Sequence, residues 1–319
     1  MSHHRYFLLI ATQWIGFLDL SCAFLLVHQP NRRPVVACSS SDDNNNILTD
    51  RLPTSVDDQI RQARACLAHS DNNNNNSNHR HCIRLLLPII GATELDDWPG
   101  GARQQREAAL PLVQAILGGE SSSSTLVELD ASDGVAALLT QGDTPAEDAC
   151  AVLLPTAESV TEAAASLETQ VGPERNLILV NPQWRRRSDF GGIFGRTDDK
   201  MIAYVESFPP LFSLTSLICE GESIRVLRTY PGPWRVYLRE ESETGVVDWS
   251  LVGTKDFLSA KPSDWQDLPE NKRDGGLLFS YGQPTYQDIV GMLNDSPSYT
   301  PKGPAERAAV AFNFIKDSI

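Results

Sequence analysis

Asp130 and Asp133 follow the apolar run at 125–129, and Asn181, Pro182 and Gln183 follow another at 176–180. Two neighbouring acids can serve as a general acid and base, position a cation or bind ribose hydroxyls. In an open α/β sheet, ligands sit outside the carboxyl ends of the strands, where these residues would fall. The competing role is local, since Ser132 or Asp133 at the start of a short helix would accept hydrogen bonds from free backbone N–H groups. Asp133 reads first as such a cap, and Asp130 is open to either role.

The stretch Gly191-Gly192-Ile193-Phe194-Gly195-Arg196 would let backbone N–H groups approach an anion, with Arg196 pairing to it. It lacks the GxxxxGK[ST] order of a phosphate loop and follows the fourth apolar run, not the first. A hairpin whose Arg196 binds a carboxylate is the better reading. Serine or cysteine nucleophiles need an imidazole, and no histidine follows His81. Lys200 and Lys255 are available as bases but stand in no recognisable motif. Catalytic residues are therefore not assigned.

Tyr230-Pro231-Gly232-Pro233-Trp234 is the most distinctive segment. Pro231 and Gly232 suit the central positions of a type II turn, which requires positive φ at Gly232. Pro233 stiffens the exit, and Tyr230 and Trp234 anchor either side. The expectation is a rigid corner with a core tryptophan. The other reading is an aromatic docking surface, because Tyr, Trp and Arg dominate interface hot spots.

These residues belong to a chain of 319 with a net charge of -14, enough for one domain plus extensions. The acidic balance disfavours nucleic-acid partners and anionic lipid surfaces. Four of the six cysteines and all six histidines fall at or before Cys82, leaving Cys150 and Cys219 alone downstream. No metal site, cofactor or disulfide framework is expected. Cys150 and Cys219 read as small buried hydrophobes.

The first 40 residues differ from the rest. Arg5 precedes apolar runs ending at Ser21, Cys22 and Ala23, the layout of a signal peptide, and Gln13 and Asp19 break them below spanning length. The stretch from Phe24 to Ser41 is basic and hydroxyl-rich, with no acid before Asp42. Ser21-Cys22-Ala23-Phe24 resembles the junction of bipartite plastid leaders in diatoms and related algae, which implies delivery to a plastid stroma and no transmembrane segment in the mature protein.

Asn-rich tracts at 42–46 and 71–78 bracket a helical pattern at 56–68, expected as a short helix tethered loosely ahead of the body. The organisation expected is a leader over 1–40, a linker over 41–81, one domain over 82–295 and a tail over 296–319. Strands are expected at 83–90, 125–129, 149–154 and 176–180, with helices ending near Leu117, over 132–139 and over 157–168. After a helix to about Glu206, strands at 213–218, 224–228, 234–238 and 246–252 carry hairpin signals, and helices close the chain at 285–293 and 304–319. The fold class expected is α/β. A mainly parallel, Rossmann-like sheet with helices on both faces forms the N-terminal half, followed by an antiparallel β extension and closing helices.

Over residues 82–293 the chain resembles the DUF1995 family, of unknown biochemical function and found in cyanobacteria and plastids. The resemblance rests on Trp98-Pro99-Gly100-Gly101-Ala102-Arg103-Gln104-Gln105, Leu179-Val180-Asn181-Pro182, Gly195-Arg196 and Tyr230-Pro231-Gly232-Pro233-Trp234-Arg235. That family includes a plant stromal factor for photosystem II accumulation and a form fused to plastid adenylate kinase. The resemblance implies a non-enzymatic stromal factor whose partners are thylakoid or photosystem assembly proteins. The alternative is a nucleotide- or phosphometabolite-binding enzyme or regulatory domain.

Overall fold

The computed structural model describes residues 51–73, 79–88, 101–118, 123–130, 134–141, 148–160, 167, 175–184, 186–191, 198–241, 245–258, 281–297, 299–303 and 306. Helix α1 (Val56–Asn73) starts where the Ser55 hydroxyl accepts the Asp58 N–H at 3.1 Å. Its buried face is polar or small, made of Gln59, Gln62, Ala63, Cys66 and Ser70. Far from being loosely tethered, α1 docks into the main core. Gln59 accepts from the Leu86 N–H at 2.8 Å and donates to the Leu86 carbonyl at 3.0 Å, while Ala63 and Cys66 pack among Leu85, Leu112 and Leu214.

The strands are β1 (Arg80–Arg84), β2 (Ser123–Asp130), β3 (Val135–Gln141), β4 (Ala149–Leu153), β5 (Asn176–Val180), β6 (Pro210–Cys219), β7 (Glu222–Thr229), β8 (Trp234–Glu241) and β9 (Val247–Lys255). They form one nine-stranded sheet in the order β2-β3-β4-β5-β1-β6-β7-β8-β9. Parallel pairing joins β4 to β5, β5 to β1 and β1 to β6. The other pairs are antiparallel. The sheet is therefore mixed, not mainly parallel, and four central parallel strands carry an antiparallel flank on each side.

The main departure from expectation is residues 132–139. Instead of a helix, Val135–Gln141 is strand β3, antiparallel to both β2 and β4. A short run of Val, Ala and Leu buried on both sides has no period that separates helix from strand. Gly134 permits the turn between β2 and β3: its φ is +68, and an added Cβ would lie 2.8 Å from the Ala102 carbonyl. Strands β4 and β5 match expectation, apolar apart from Asn176 and with every residue buried as in a sheet covered on both faces. The hairpins of β6 to β9 are also as expected.

Alternation along the strands divides the core. Leu153, Ile178, Val180, Phe212 and Leu214 face α1 and α2 (Gly101–Leu117). Cys150, Val152, Leu177 and Leu179 face the opposite layer, which includes Ile202 and Val205 of α3 (Asp199–Val205). Further along that second face, Ile224, Val226, Val236 and Leu238 pack against Ile289 and Leu293 of α4 (Tyr286–Asp295). Each such aliphatic side chain contributes about 1.5–3 kcal/mol when fully buried.

Candidate functional site

Between α3 and α4 the second face carries a cleft of about 680 Å³, a size typical of small-molecule sites. Its floor is the stretch of β6 bearing Ser213, Thr215 and Leu217, together with Cys82 and Arg84 of β1. Val205, Glu206 and Phe208 at the end of α3 form one wall, and Tyr281 to Tyr286, leading into α4, form another. Pro182 and Trp184, just past β5, close the end. The cleft thus lies outside the carboxyl ends of β5 and β1, where an α/β sheet places its ligands.

Hydrogen bonds hold these walls. The Tyr281 hydroxyl donates to the Glu206 carbonyl, and the Trp234 Nε1 donates to the Tyr281 carbonyl at 2.9 Å, so Tyr281 ties the end of α3 to β8. Its ring stacks on Phe257 at 5.6 Å, and the Arg228 guanidinium lies 3.9 Å over Phe257. Thr285 caps α4 in a reciprocal pair with Asp288. Burial raises the Asp288 carboxyl, but Lys255 at 2.8 Å and the Thr285 bonds outweigh it and hold the group below the usual carboxylate range.

Burial pushes the Tyr281 phenol up to about 12 and also raises the Cys82 thiol, so both remain protonated at neutral pH. The charged lining residues are Arg84, Arg186 and Glu206, and the Glu206 carboxylate lies 3.8 Å from Arg187. Arg84 donates to the Pro182 carbonyl at 3.3 Å. Ser213 Oγ and Thr215 Oγ1 are buried without a hydrogen-bond partner among the described residues, a condition that costs about 1–3 kcal/mol per group. The arrangement offers cationic and hydroxyl donors to a ligand, and it pairs no base with a nucleophile.

Of the ligand-binding candidates singled out from sequence, Asp130, Asn181 and Gln183 do not line this cleft. Asp130 ends β2, an edge strand of the sheet, opposite Val135. Asp133, Gly195 and Arg196 lie outside the described residues. Asn181, at φ 48, turns its amide onto the Leu85 backbone, and the Gln183 amide donates to the Asn181 carbonyl at 2.8 Å. These are structural contacts, and of Asn181, Pro182 and Gln183 only Pro182 lines the cleft.

The Tyr230 to Trp234 corner differs from the expected type II turn. The Gly232 N–H donates to the Thr229 carbonyl at 2.7 Å, which makes Tyr230 and Pro231 the central residues and puts Gly232 last. The Tyr230–Pro231 peptide is cis, and Gly232 is not among the positive-φ glycines. Glycine is needed there for close approach, since an added Cβ would lie 3.0 Å from Arg235 Nη2 and 3.2 Å from the Thr229 carbonyl. Trp234 is 1% exposed and is a core residue.

DUF1995, a domain of unknown function, matches residues 53–263. The chain belongs to this family. The DUF1995 match begins before α1, in keeping with the docking of that helix, and stops before the Tyr281–Tyr286 wall. No curated protein and no solved structure matches the chain. Among the described residues of this DUF1995 protein, no group of three or more His, Cys, Asp or Glu could hold a metal ion, and no helix is long and apolar enough to cross a membrane. Sequence reasoning missed Arg84, Ser213, Thr215 and Tyr281. The available signal was the pair of hydroxyl residues at alternate positions inside the apolar strand Pro210–Cys219.

Proposed function

We propose that this protein is a non-enzymatic factor of the plastid stroma that assists assembly of photosynthetic complexes such as photosystem II. Its location is supported by the signal-plus-transit pattern of residues 1–40 and by the occurrence in plastids that the resemblance to DUF1995 implies. The observation that carries the non-enzymatic part is the cleft wall. Its described residues include no histidine, its cysteine is Cys82 with a thiol raised by burial, and its carboxylate, Glu206, faces Arg187. Nucleophilic and acid–base chemistry need a group poised to give up or take a proton near neutral pH.

The experiment is recovery of the tagged protein from plastids, with thylakoid subunits or assembly factors expected to co-purify. A null strain with normal photosystem levels and no such partner would refute the assignment. For the leader, residues 1–40 should carry a reporter into the plastid, and Phe24→Ala should strand it in the surrounding membranes. Secretion of the unmodified fusion would remove the compartment from the proposal.

A second reading is binding of a nucleotide or phosphometabolite in a regulatory role. It is favoured by the position of the cleft outside the carboxyl ends of β5 and β1. A thermal-shift screen tests it, since a ligand of the native state raises Tm by mass action.

A further inference from the structure

Three polar residues of adjacent strands line the cleft floor: Arg84, Ser213 and Thr215. In the β1–β6 register Arg84 lies directly opposite Ser213, and Thr215 follows two residues on, on the same face of β6. Ser213 is 0% exposed, and its Oγ finds no hydrogen-bond partner among the described residues; nor does Thr215 Oγ1. Arg84 uses Nη1 on the Pro182 carbonyl, and no described carboxylate pairs with it. Buried polar groups in native proteins are normally satisfied, so hydroxyls left over in a cleft that an arginine also lines mark where a ligand supplies the missing acceptor.

The sign of the charge narrows the ligand. The chain carries a net charge of -14, yet the cleft has two arginines, Arg84 and Arg186, against Glu206, which faces Arg187. A guanidinium and hydroxyl donors lining one cleft match a carboxylate or a phosphate. Away from these groups the walls are Trp184, Phe208, Leu217 and Trp234, which favour a flat apolar body.

We propose that the cleft between α3 and α4 binds a small organic anion with an aromatic or ring-bearing body, whose carboxylate or phosphate is held by Arg84, Ser213 and Thr215. This deepens the second, ligand-binding reading, rests on the cleft being a ligand site, and is independent of the role in assembly.

The test is calorimetric titration of the full-length chain at neutral pH with 2-naphthoate, 2-naphthyl phosphate, 2-naphthol and adenosine monophosphate. The three naphthyl probes share one ring system and differ in the head group. At least one naphthyl anion should bind, with naphthol weaker by roughly tenfold or more, as expected when a charge-assisted bond is absent. Tighter binding of the naphthoate identifies a carboxylate ligand, and tighter binding of the naphthyl phosphate a phosphate ester. Arg84→Gln keeps a donor for the Pro182 carbonyl and should weaken the anion roughly tenfold while leaving naphthol unchanged. Thr215→Val is nearly isosteric and should weaken the anion through the lost hydroxyl, with an unaltered near-ultraviolet dichroism spectrum showing that each variant is folded. Naphthol binding as tightly as the anions, or folded Arg84→Gln binding them like the parent, overturns the head-group site. Nucleotide binding unaffected by Arg84→Gln overturns it while the ligand-binding reading stands. Absence of binding by every probe overturns both.

Discussion

Asn181 joins the end of β5 to the end of β1 by a two-way bond to Leu85: its Oδ1 accepts the Leu85 N–H at 2.7 Å and its Nδ2 donates to the Leu85 carbonyl at 3.0 Å. It does so from φ 48, a left-handed conformation that asparagine tolerates better than most residues. Asn181→Ala should lose both bonds and strain the backbone, costing on the order of 2–4 kcal/mol in urea unfolding. Asn181→Gly should recover only the backbone part, about 1 kcal/mol. A ligand-binding Asn181 would leave the unfolding midpoint unchanged on substitution.

At Gly232 the constraint is crowding beneath the turn. Gly232→Ala should destabilise by about 1–3 kcal/mol, because the new carbon meets the Arg235 guanidinium and the Thr229 carbonyl. Gly232→Val should cost more than Ala. A double-mutant cycle with Arg235→Ala should show coupling of about 0.5–3 kcal/mol if the guanidinium is what the side chain meets. Additive effects would point to the turn backbone instead.

Trp234 fills the space beneath α4 and bonds the Tyr281 carbonyl. Trp234→Ala should lower stability by about 3–5 kcal/mol, the range for a buried aromatic. Trp234→Phe keeps most of the ring and loses the indole N–H, so it should cost less. Thermal melts that superimpose on the parent, together with loss of a plastid partner, would make this residue a docking contact.

His81 is 3% exposed in β1 and provides a pH signature. Burial first, then the neighbouring His79, lowers its imidazole from 6.5 to about 4; Asn176 pulls weakly the other way, and neither ring nitrogen completes a hydrogen bond. The folded form therefore favours neutral His81. Between 6.5 and about 4 the unfolded chain binds the extra proton. Stability from this group is complete above the upper value and falls as pH drops through that window, by on the order of 3 kcal/mol in all. Urea midpoints across this range should decline for the parent and flatten for His81→Phe. Equal slopes for the two proteins would exclude His81 as the cause.

How far the fold could be read depended on how each element buries its residues. β4 and residues 177–180 of β5 are unbroken apolar runs, and the hairpins from β6 to β9 combine β-branched alternation with glycine turns, so both were legible. α1 was misjudged because its buried face is Gln59, Gln62, Ala63, Cys66 and Ser70, a stripe of low hydrophobicity whose glutamines bond to backbone. β3 was misread because buried alanines and leucines suit either structure until a neighbouring strand takes their hydrogen bonds.

The sequence alone determined the α/β composition, the family, the absence of histidine beyond His81 and the burial of Cys150 and Cys219. It also directed attention to the strand ends, near which the cleft lies. Tertiary structure decided which residues meet there. β1 and β6 are separated by more than a hundred residues, and only their parallel pairing sets Arg84 opposite Ser213. Local periodicity reports which side of a strand a residue occupies, but not whether helices cover that side. On β6 the hydroxyls of Ser213 and Thr215 resemble a solvent face in sequence, and the placement of α3 and α4 makes them the floor of a cleft.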